Sequence, residues 1–157
     1  MTLHRFKTNR NGLWAQIGGP FQRAFFQLSV VGPRLDPVDV TSLLGIKPTK
    51  SHKKGDTTKS GSQFRRTGLW LLESREVRLH DKKTGRSQFE KWLAALPDST
   101  SAWRTIHRRF TAAVTLVLYT NSMNGEFLVT PDAIRQLARR GLALRVDSYV
   151  MPDEDDA

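Results

Sequence analysis

Residues 35–49 read LDPVDVTSLLGIKPT, and this stretch contains the start, the packing face and the end of one short helix. Asp36 is a preferred N-cap, because its carboxylate can accept hydrogen bonds from the free N–H groups of a first turn. Pro37 suits the first helical position, where a missing N–H has no consequence. The apolar face is Val40, Leu43 and Leu44, at helical spacing. Gly45 can adopt the left-handed conformation that ends a helix, so the stretch predicts a helix over Pro37–Leu44.

Apolar runs bounded by turn residues predict the strands of a sheet. The main predicted strands are Ala24–Val31, Gly68–Ser74, Ala112–Thr120 and Leu142–Val150. Ala112–Thr120 is apolar on both faces, which is typical of a central strand. Shorter strands are predicted at Val77–Leu79 and, after a turn at Asn124-Gly125, at Glu126–Val129.

Caps and apolar spacing predict three more helices. Ser87 with Glu90 forms a capping box, so one helix should begin there and end before Pro97. A second should begin at residues 98–100, and a third after Thr130. The residues predicted to face the core are Phe89, Trp92, Leu93, Leu96, Trp103, Ile106, Phe110, Ile134, Leu137 and Ala138.

Together these elements predict one α+β domain. Single helices alternate with strands over short connections, which favours a mostly antiparallel sheet with helices packed on one face. The order strand, capped helix, strand occurs twice and suggests two weakly similar halves, although the residues do not indicate a duplication. We assign the domain to residues 24–150, with a basic N-terminal arm at 1–23 and an acidic tail at 151–157.

Charge is the strongest compositional feature. The chain has 25 Lys and Arg against 15 Asp and Glu, a net charge of +10. Four of the acids lie at 153–156, so the chain up to Pro152 carries +14, four more than the whole. A body this basic attracts polyanions, acidic protein faces or anionic lipid. The alternative interpretation is a solvated, arginine-rich surface without a function.

The chain lacks the features of secreted and membrane proteins. It contains no cysteine, which excludes disulfides, thiolate metal sites and thiol nucleophiles. No apolar run approaches the roughly 18 residues of a membrane span. The N-terminus has no long apolar segment of the kind found in signal peptides. We therefore expect a cytoplasmic protein that does not contact a membrane, and the sequence leaves its oligomeric state open.

Three motifs occur in order: LDPVDVTSLLGIKPTKSHKKGD at 35–56, RRTGLWLLES at 65–74 and TPDAIRQLARRGLALRVDSYV at 130–150. This combination resembles the bacterial family called domain of unknown function 4279, over roughly residues 25–150. The positions that match its patterns are Leu35, Asp36, Pro37, Leu43, Leu44, Gly45, Ile46, Pro48, Thr49, Gly55, Thr67, Gly68, Trp70 and Leu72. The resemblance implies an α+β domain and provides no agreed catalytic residues to carry over, and some relatives look like immunity proteins of toxin systems. The basic insert at 50–66 departs from the family pattern.

No residue pattern indicates an enzyme or a cofactor site. The four histidines lie far apart without metal-ligand spacing, at His4, His52, His80 and His107. Capping explains Asp36 and Asp39 without a catalytic role. Asp147 is a lone acid that could pair with Arg145 or with a base on a neighbouring strand. We therefore predict a non-enzymatic protein without a cofactor or a metal ion.

Three basic groups are candidates for contact with a partner, namely the segment Lys47–Arg66 and the basic faces of two helices. The segment is predicted to be a turn or a mobile loop, with flanks that pair as edge strands. The helical arginines are Arg104, Arg108 and Arg109 on one helix, and Arg135, Arg139 and Arg140 on the last. Such side chains can bind carboxylates or phosphates. The predicted contact residues are Lys50, Lys53, Lys54, Lys59, Arg65, Arg66, Arg108, Arg109, Arg135 and Arg139.

Two functions from different classes remain open. One is protein binding of the immunity type, against an acidic toxin, and the other is nucleic-acid binding through the basic segment. The tryptophans fall on apolar stripes and are assigned to the core, which disfavours a nucleic-acid surface of interleaved bases and aromatic rings. We favour an acidic protein partner, bound by a basic rim and by an apolar anchor that the sequence does not identify.

Overall fold

The computed structural model of the protein describes residues 19–58, 60–79, 82–121 and 125–151. The elements are, in chain order, β1 (Gly19–Pro20), β2 (Arg23–Gly32), α1 (Pro37–Leu44), β3 (Lys50–His52), β4 (Gly68–Glu73), β5 (Val77–Arg78), α2 (Lys82–Ala94), α3 (Thr100–Arg109), β6 (Thr111–Thr120), β7 (Gly125–Glu126), α4 (Pro131–Arg139) and β8 (Ala143–Val150). Most of the predicted arm and tail, together with His4, Lys59, His80 and Asn124, lie outside the described residues.

The main sheet has the strand order β3-β4-β2-β6-β8, and β5 pairs with the start of β2. All its pairings are antiparallel except β6 with β8, which is parallel. β6 lies between β2 and β8, so the predicted central position of Ala112–Thr120 is confirmed. A separate parallel pair joins β1 to β7, and Phe21 beside it is buried. Residues 19–23, which the sequence assigned to the arm, therefore pack with the domain.

The sheet buries one face under the helices. Along β2 buried and half-buried residues alternate, and the buried apolar side chains are Ala24, Phe26, Leu28 and Val30. These side chains share one core with buried residues from all the helices. The ring of Phe26, for example, lies 5.1 Å from that of Phe89 on α2. The protein is thus a single α+β domain with a mixed, mostly antiparallel sheet, as predicted.

The two halves share their order of elements and differ in pairing. In the second half β6, α4 and β8 form a parallel unit with adjacent strands. In the first half β3 also runs in the direction of β2, but β4 lies between them. The difference follows from the segment between β3 and β4, which turns the chain back and inserts β4 into the sheet.

Helix α1 begins and ends at the predicted residues and is held tightly against β4. Asp36 Oδ1 accepts a hydrogen bond from the Val38 N–H at 3.0 Å, and Gly45 ends the helix at φ 68°. Trp70 on β4 is fully buried, and its indole N–H donates to Thr41 Oγ1 on α1 at 3.1 Å. A Cβ at Gly68 would lie 2.6 Å from the carbonyl oxygen of Leu35. The absence of a side chain at Gly68 therefore lets the backbone at Leu35 pass close to β4, and Trp70 binds α1 to the same strand.

The predicted start of the helix at Ser87 is wrong, because α2 begins at Lys82 and Ser87 lies inside it. Glu90 accordingly makes no capping box, and its carboxylate accepts a hydrogen bond from the Thr130 hydroxyl instead. The early turn contains Gly85, a weak helix former. A Cβ at Gly85 would lie 2.8 Å from Leu79 and 3.0 Å from Phe127. Tertiary packing around this glycine outweighs its poor helix propensity.

The predicted inward face of α4 is also wrong in part. Leu137 is buried as expected, but Ile134 and Ala138 are exposed, and Ala133 is buried in their place. The buried stripe is narrower than the sequence pattern because α4 packs over the edge strand β8, where there is less sheet to cover. The predicted strand Glu126–Val129 is shorter in the structure, where β7 spans only Gly125–Glu126.

Phe110, which the sequence placed within the third helix, is the C-cap of α3 and remains buried.

Replacement of Gly68 by alanine should destabilise the fold. The added methyl group meets a backbone carbonyl that cannot rotate away, so we expect a loss of about 3 kcal/mol in the free energy of unfolding. Gly61→Ala is the control, since its Cβ would enter open space and the only penalty is φ of 68°. That control should lose about 1 kcal/mol. Urea unfolding followed by circular dichroism measures both, and equal losses would contradict the close approach.

Candidate functional site

The basic segment between β3 and β4 forms a hydrogen-bonded hairpin. The Gly55 N–H donates to the Arg65 carbonyl at 2.9 Å, and the Arg65 N–H donates to the Asp56 carbonyl at 2.8 Å. Thr57 and Phe64 pair as an antiparallel bridge closer to the turn. We call residues 53–66 the basic hairpin. Of the two predicted forms, the structure therefore has the turn, and its preceding flank pairs as the edge strand β3.

Helix α1 joins the basic hairpin to the end of α3. The Lys53 ammonium nitrogen lies 2.6 Å from Oδ2 of Asp36, and Arg109 NH2 lies 2.9 Å from Oδ2 of Asp39. Both acids belong to the cap and first turn of α1. The predicted contact residues Lys53 and Arg109 are therefore brought to one end of a single helix. Capping, which explained these acids in the sequence, is only part of their role.

The Lys53–Asp36 contact perturbs both groups. The hydrogen bond from Lys53 is the main reason that the pKa of Asp36 is lowered, and the Val38 N–H acts in the same direction. The same hydrogen bond raises the pKa of Lys53, with the negative charge of Asp36 as the second cause. Each group thus stabilises the charged form of the other, and this holds the base of the basic hairpin on α1.

An exposed aromatic ring lies among the unpaired cations of the basic hairpin. The Phe64 residue is 73% exposed, far more than is usual for a phenylalanine. In the part of the chain that the structure describes, no ion pair involves Lys54, Arg65, Arg66 or Arg108. Lys50, by contrast, lies 3.6 Å from Glu73 on β4. Val38, at the same end of α1 as Asp36, is a second exposed apolar residue.

The predicted arginines of α4 lie in another part of the molecule. Helix α4 packs against α2 and β8, and β8 is at the opposite edge of the sheet from β3. Arg139 pairs with Asp98 at 2.7 Å, and Arg135 pairs with Asp132 one turn earlier on its own helix. The structure therefore does not bring these two residues together with the basic hairpin, and both are already paired with a carboxylate.

Arg140 was predicted to extend the arginine ridge of α4, and that prediction is wrong because the residue is buried. Its guanidinium donates to the carbonyl oxygens of Leu96, Pro97 and Gln136 at 2.9–3.0 Å. The carbonyl of Arg140 in turn lies 2.7 Å from Nε2 of His107. Burial lowers the pKa of Arg140, whereas the nearby Asp98 raises it. Arg140 thus ties α4 to the α2–α3 connection, and no sequence pattern distinguished it from Arg139.

Recesses on the described surface include one beside α2 and one beside α4. One of about 720 Å³ lies between β5 and α2, and its walls include Glu76, Gln88 and Trp92. The other, of about 490 Å³, lies beside α4 and includes Glu90, Asp98 and the paired arginines. Neither recess is lined by a histidine. Over the described ranges, no group of three or more His, Asp or Glu residues is placed to hold a metal ion.

The comparison with protein families decides the family of the chain. The family described as domain of unknown function (DUF4279) matches residues 22–151. The chain belongs to this family. The DUF4279 match runs from the start of β2 to the end of β8 and confirms the resemblance. Comparisons with curated proteins and with solved structures gave no match. Among the DUF4279 motif residues, Asp36 and Gly45 begin and end α1, and Gly68 and Trp70 hold it against β4. Thr49 instead binds β4 directly, because its hydroxyl accepts a hydrogen bond from the Glu73 N–H at 2.8 Å.

None of the helices within the described residues is long and apolar enough to cross a membrane.

Replacement of Arg140 by lysine should destabilise the protein, although the charge is kept. A single ammonium group cannot reach three carbonyl oxygens that a planar guanidinium satisfies together. We expect a loss of about 3 kcal/mol in the free energy of unfolding, because buried carbonyls are left without donors. The exposed neighbour provides a matched control, and Arg139→Lys should change stability by less than about 0.5 kcal/mol. Similar losses of stability in both variants would contradict the role of the Arg140 guanidinium in joining α4 to the α2–α3 connection.

Replacement of Asp36 by asparagine should change how stability depends on pH. Asparagine keeps the N-cap but cannot pair with Lys53. Because the pKa of Asp36 is lowered by folding, its contribution is present above the unfolded pKa of about 3.9 and is lost as pH falls through the lower folded value. The raised pKa of Lys53 gives a contribution present below about 10.4 and lost at higher pH.

The difference in stability between wild type and Asp36→Asn should therefore be constant near neutral pH and shrink in strong acid and strong alkali. Urea unfolding across this range measures it. In a Lys53→Met background, the stability difference caused by Asp36→Asn should stay constant in alkali, because the lysine that titrates there is absent. An alkaline loss that persists in that background would assign it to another group.

Proposed function

We propose that the protein is a non-enzymatic, cytoplasmic protein-binding domain that binds an acidic protein through the basic hairpin and the adjoining end of α3. The observation that carries the proposal is the exposed ring of Phe64, which is 73% exposed between two chain segments of unpaired cations. These cations are Lys54 before it and Arg65 and Arg66 after it. The hairpin is held by its own backbone hydrogen bonds and by α1, so a partner would meet a largely preformed surface.

An exposed aromatic residue surrounded by charges is typical of a protein interface. A buried aromatic residue commonly supplies most of the binding energy, while surrounding charges set the association rate and the choice of partner. Phe64 supplies the aromatic residue that the sequence left unidentified. The unpaired cations would form the rim and select a partner that is acidic at the contact. Val38 adds apolar area near Lys53, which extends the surface along α1.

Acidic side chains within the surface favour a protein over a polyanion. Asp36 and Asp39 each neutralise one of its cations, and Asp56 lies in the hairpin itself. Phosphate groups would be repelled by these carboxylates, whereas a protein surface can place its own charges between them. Within the DUF4279 resemblance, the partner that fits the immunity type is a toxin, and its contact surface would be acidic. A basic immunity protein would not block a nuclease by mimicking nucleic acid.

Nucleic-acid binding is the second candidate, and the same ring favours it. A base can stack on an exposed Phe64, and unpaired lysine and arginine side chains can follow a phosphate backbone. This alternative needs only a single-stranded ligand and no acidic partner. The two candidates differ in their dependence on salt and in their tolerance of the acids on α1.

Charge reversal of the basic hairpin should abolish binding to a protein partner encoded by an adjacent gene. The variant combines Lys54→Glu, Arg65→Glu and Arg66→Glu, which leaves the structural pair of Lys53 and Asp36 in place. We expect Kd to rise more than about a hundredfold, since like charges would face an acidic contact. Phe64→Ala alone should raise Kd about thirtyfold, the effect of losing a central aromatic residue. Isothermal titration calorimetry measures both.

The matched control carries the same change in net charge elsewhere, with Arg75→Glu, Lys83→Glu and Lys91→Glu on the β4–β5 connection and α2. These residues are exposed and form no ion pair within the described ranges. The control should bind like the wild type at physiological salt. An equal loss of binding in both triple variants would show that net charge, and not the hairpin, causes the loss. Unchanged binding of the hairpin variant would exclude the hairpin as the interface.

Titration with single-stranded DNA and RNA separates the second candidate. Log K should fall linearly with log salt, with a slope of about −0.7 per phosphate contact. Under the nucleic-acid hypothesis the hairpin variant would lose about three phosphate contacts, so its slope should be less steep by about three times this amount. Under the protein-binding proposal, any binding should be weak, equal for both triple variants and absent at physiological salt.

A further inference from the structure

Strand β8 forms a long free edge of the sheet. It pairs with β6 without a break, from Ala113 opposite Ala143 to Thr120 opposite Val150. Over the described part of the chain, no strand pairs with its other side. Val146 is 54% exposed and Val150 67% exposed on this strand. Natural proteins protect such an edge with proline, a bulge, a very short strand or charged side chains. Of these devices β8 has only charges, one arginine and one aspartate of opposite sign.

The parallel pairing with β6 decides which backbone groups of β8 point outward. The Met151 N–H donates to the Thr120 carbonyl at 2.7 Å, which directs the odd-numbered residues of this segment at β6. In a parallel pair, the N–H and C=O of alternate residues point to opposite sides of the strand. The even-numbered residues of β8 therefore present both groups outward, and these are Leu144, Val146, Ser148 and Val150.

The charged residues of β8 are Arg145 and Asp147, and they project from the same face of the sheet because they are two positions apart. The sequence suggested that Asp147 pairs with Arg145 or with a base on a neighbouring strand. The described residues provide neither of them with an ion pair. One positive and one negative charge thus flank Val146 on an unpaired edge.

We propose that two copies of the chain associate through β8, antiparallel to each other, about a two-fold axis at Val146. In this register Val146 lies opposite Val146 of the second copy, and Arg145 lies opposite Asp147 of the second copy. The two-fold axis forms the charge pair twice. Arg145 and Asp147 then occupy non-hydrogen-bonded positions, where opposing Cα atoms are only about 4.5 Å apart and side chains interact most closely.

Other registers are less favourable for a physical reason. A shift of one residue would set outward-pointing groups opposite inward-pointing ones and break the ladder. A shift of the centre to position 147 would put two Asp147 carboxylates opposite each other, and a shift to position 145 would oppose two Arg145 side chains. Like charges directly opposite are destabilising in a sheet. The register at Val146 combines inter-strand hydrogen bonds of Leu144, Val146 and Ser148 with two opposite-charge pairs.

The same register covers exposed apolar surface on the helix-bearing face. Val146 meets its own copy, and Leu144 faces Ser148 of the second copy. This dimer goes beyond the proposed function and does not compete with it, because the basic hairpin connects β3 and β4 at the opposite edge of each sheet. A dimer would carry two basic hairpins at its ends and could bind a partner bivalently.

Sedimentation equilibrium of the full chain at physiological ionic strength tests the dimer, because salt then screens the repulsion between two bodies of high positive charge. The wild type should dimerise. Arg145→Asp and Asp147→Arg should each raise the dimer Kd at least about tenfold, because each creates two like-charge pairs. The double exchange Arg145→Asp with Asp147→Arg should restore dimerisation. Arg75→Asp is the matched control for net charge and should dimerise like the wild type.

A mixture of the two single variants gives the most specific result. In the proposed register, two Asp residues of one variant face two Arg residues of the other, so the two weakened proteins should form a heterodimer when mixed. This rescue also rules out misfolding as the reason for the loss in the single variants. A wild type that is monomeric at every concentration overturns the proposal. So does a dimer that the single variants leave intact, or a mixture that does not associate.

Discussion

The docking of α1 against Trp70 is the interaction on which the rest of the structure depends. The indole fills the space beneath the helix and donates to Thr41, while Gly68 lets Leu35 cross the end of β4. With α1 held there, its first acids are placed to bind Lys53 and Arg109. One helix therefore joins the sheet, the basic hairpin and α3. Four of the DUF4279 motif residues, Asp36, Gly45, Gly68 and Trp70, take part in this arrangement.

Folding divides the many basic residues of the chain into two groups with different roles. Lys53, Arg109 and Arg139 are paired with carboxylates, and Arg140 is buried against carbonyl oxygens. Formal charge therefore overstates how much positive surface is free to attract a partner. Three of the cations without an ion pair among the described residues, Lys54, Arg65 and Arg66, share the basic hairpin with the exposed Phe64. The proposed surface is therefore smaller and more apolar than the net charge implies.

The one-sided sheet also separates two surfaces. Because all the helices cover the same face, the edges are left at β3 and β8. At β3 the chain continues directly into the basic hairpin, and this edge is three residues long. At β8 the edge is eight residues long and carries a self-complementary pair of charges. The proposed protein contact uses the first edge and the proposed dimer uses the second, so the two do not compete for the same surface.

Local patterns by themselves determined α1, the four main strands, the fold class and the basic character of residues 50–66, because caps, alternation and turn residues act over a few positions. They failed at Ser87, where packing around Gly85 extends α2, and at Ile134, where α4 lies over a sheet edge. They could not separate buried Arg140 from exposed Arg139, since both are arginines on one helix. Only the tertiary structure exposed Phe64 and left β8 unpaired, because exposure and pairing depend on segments distant in sequence.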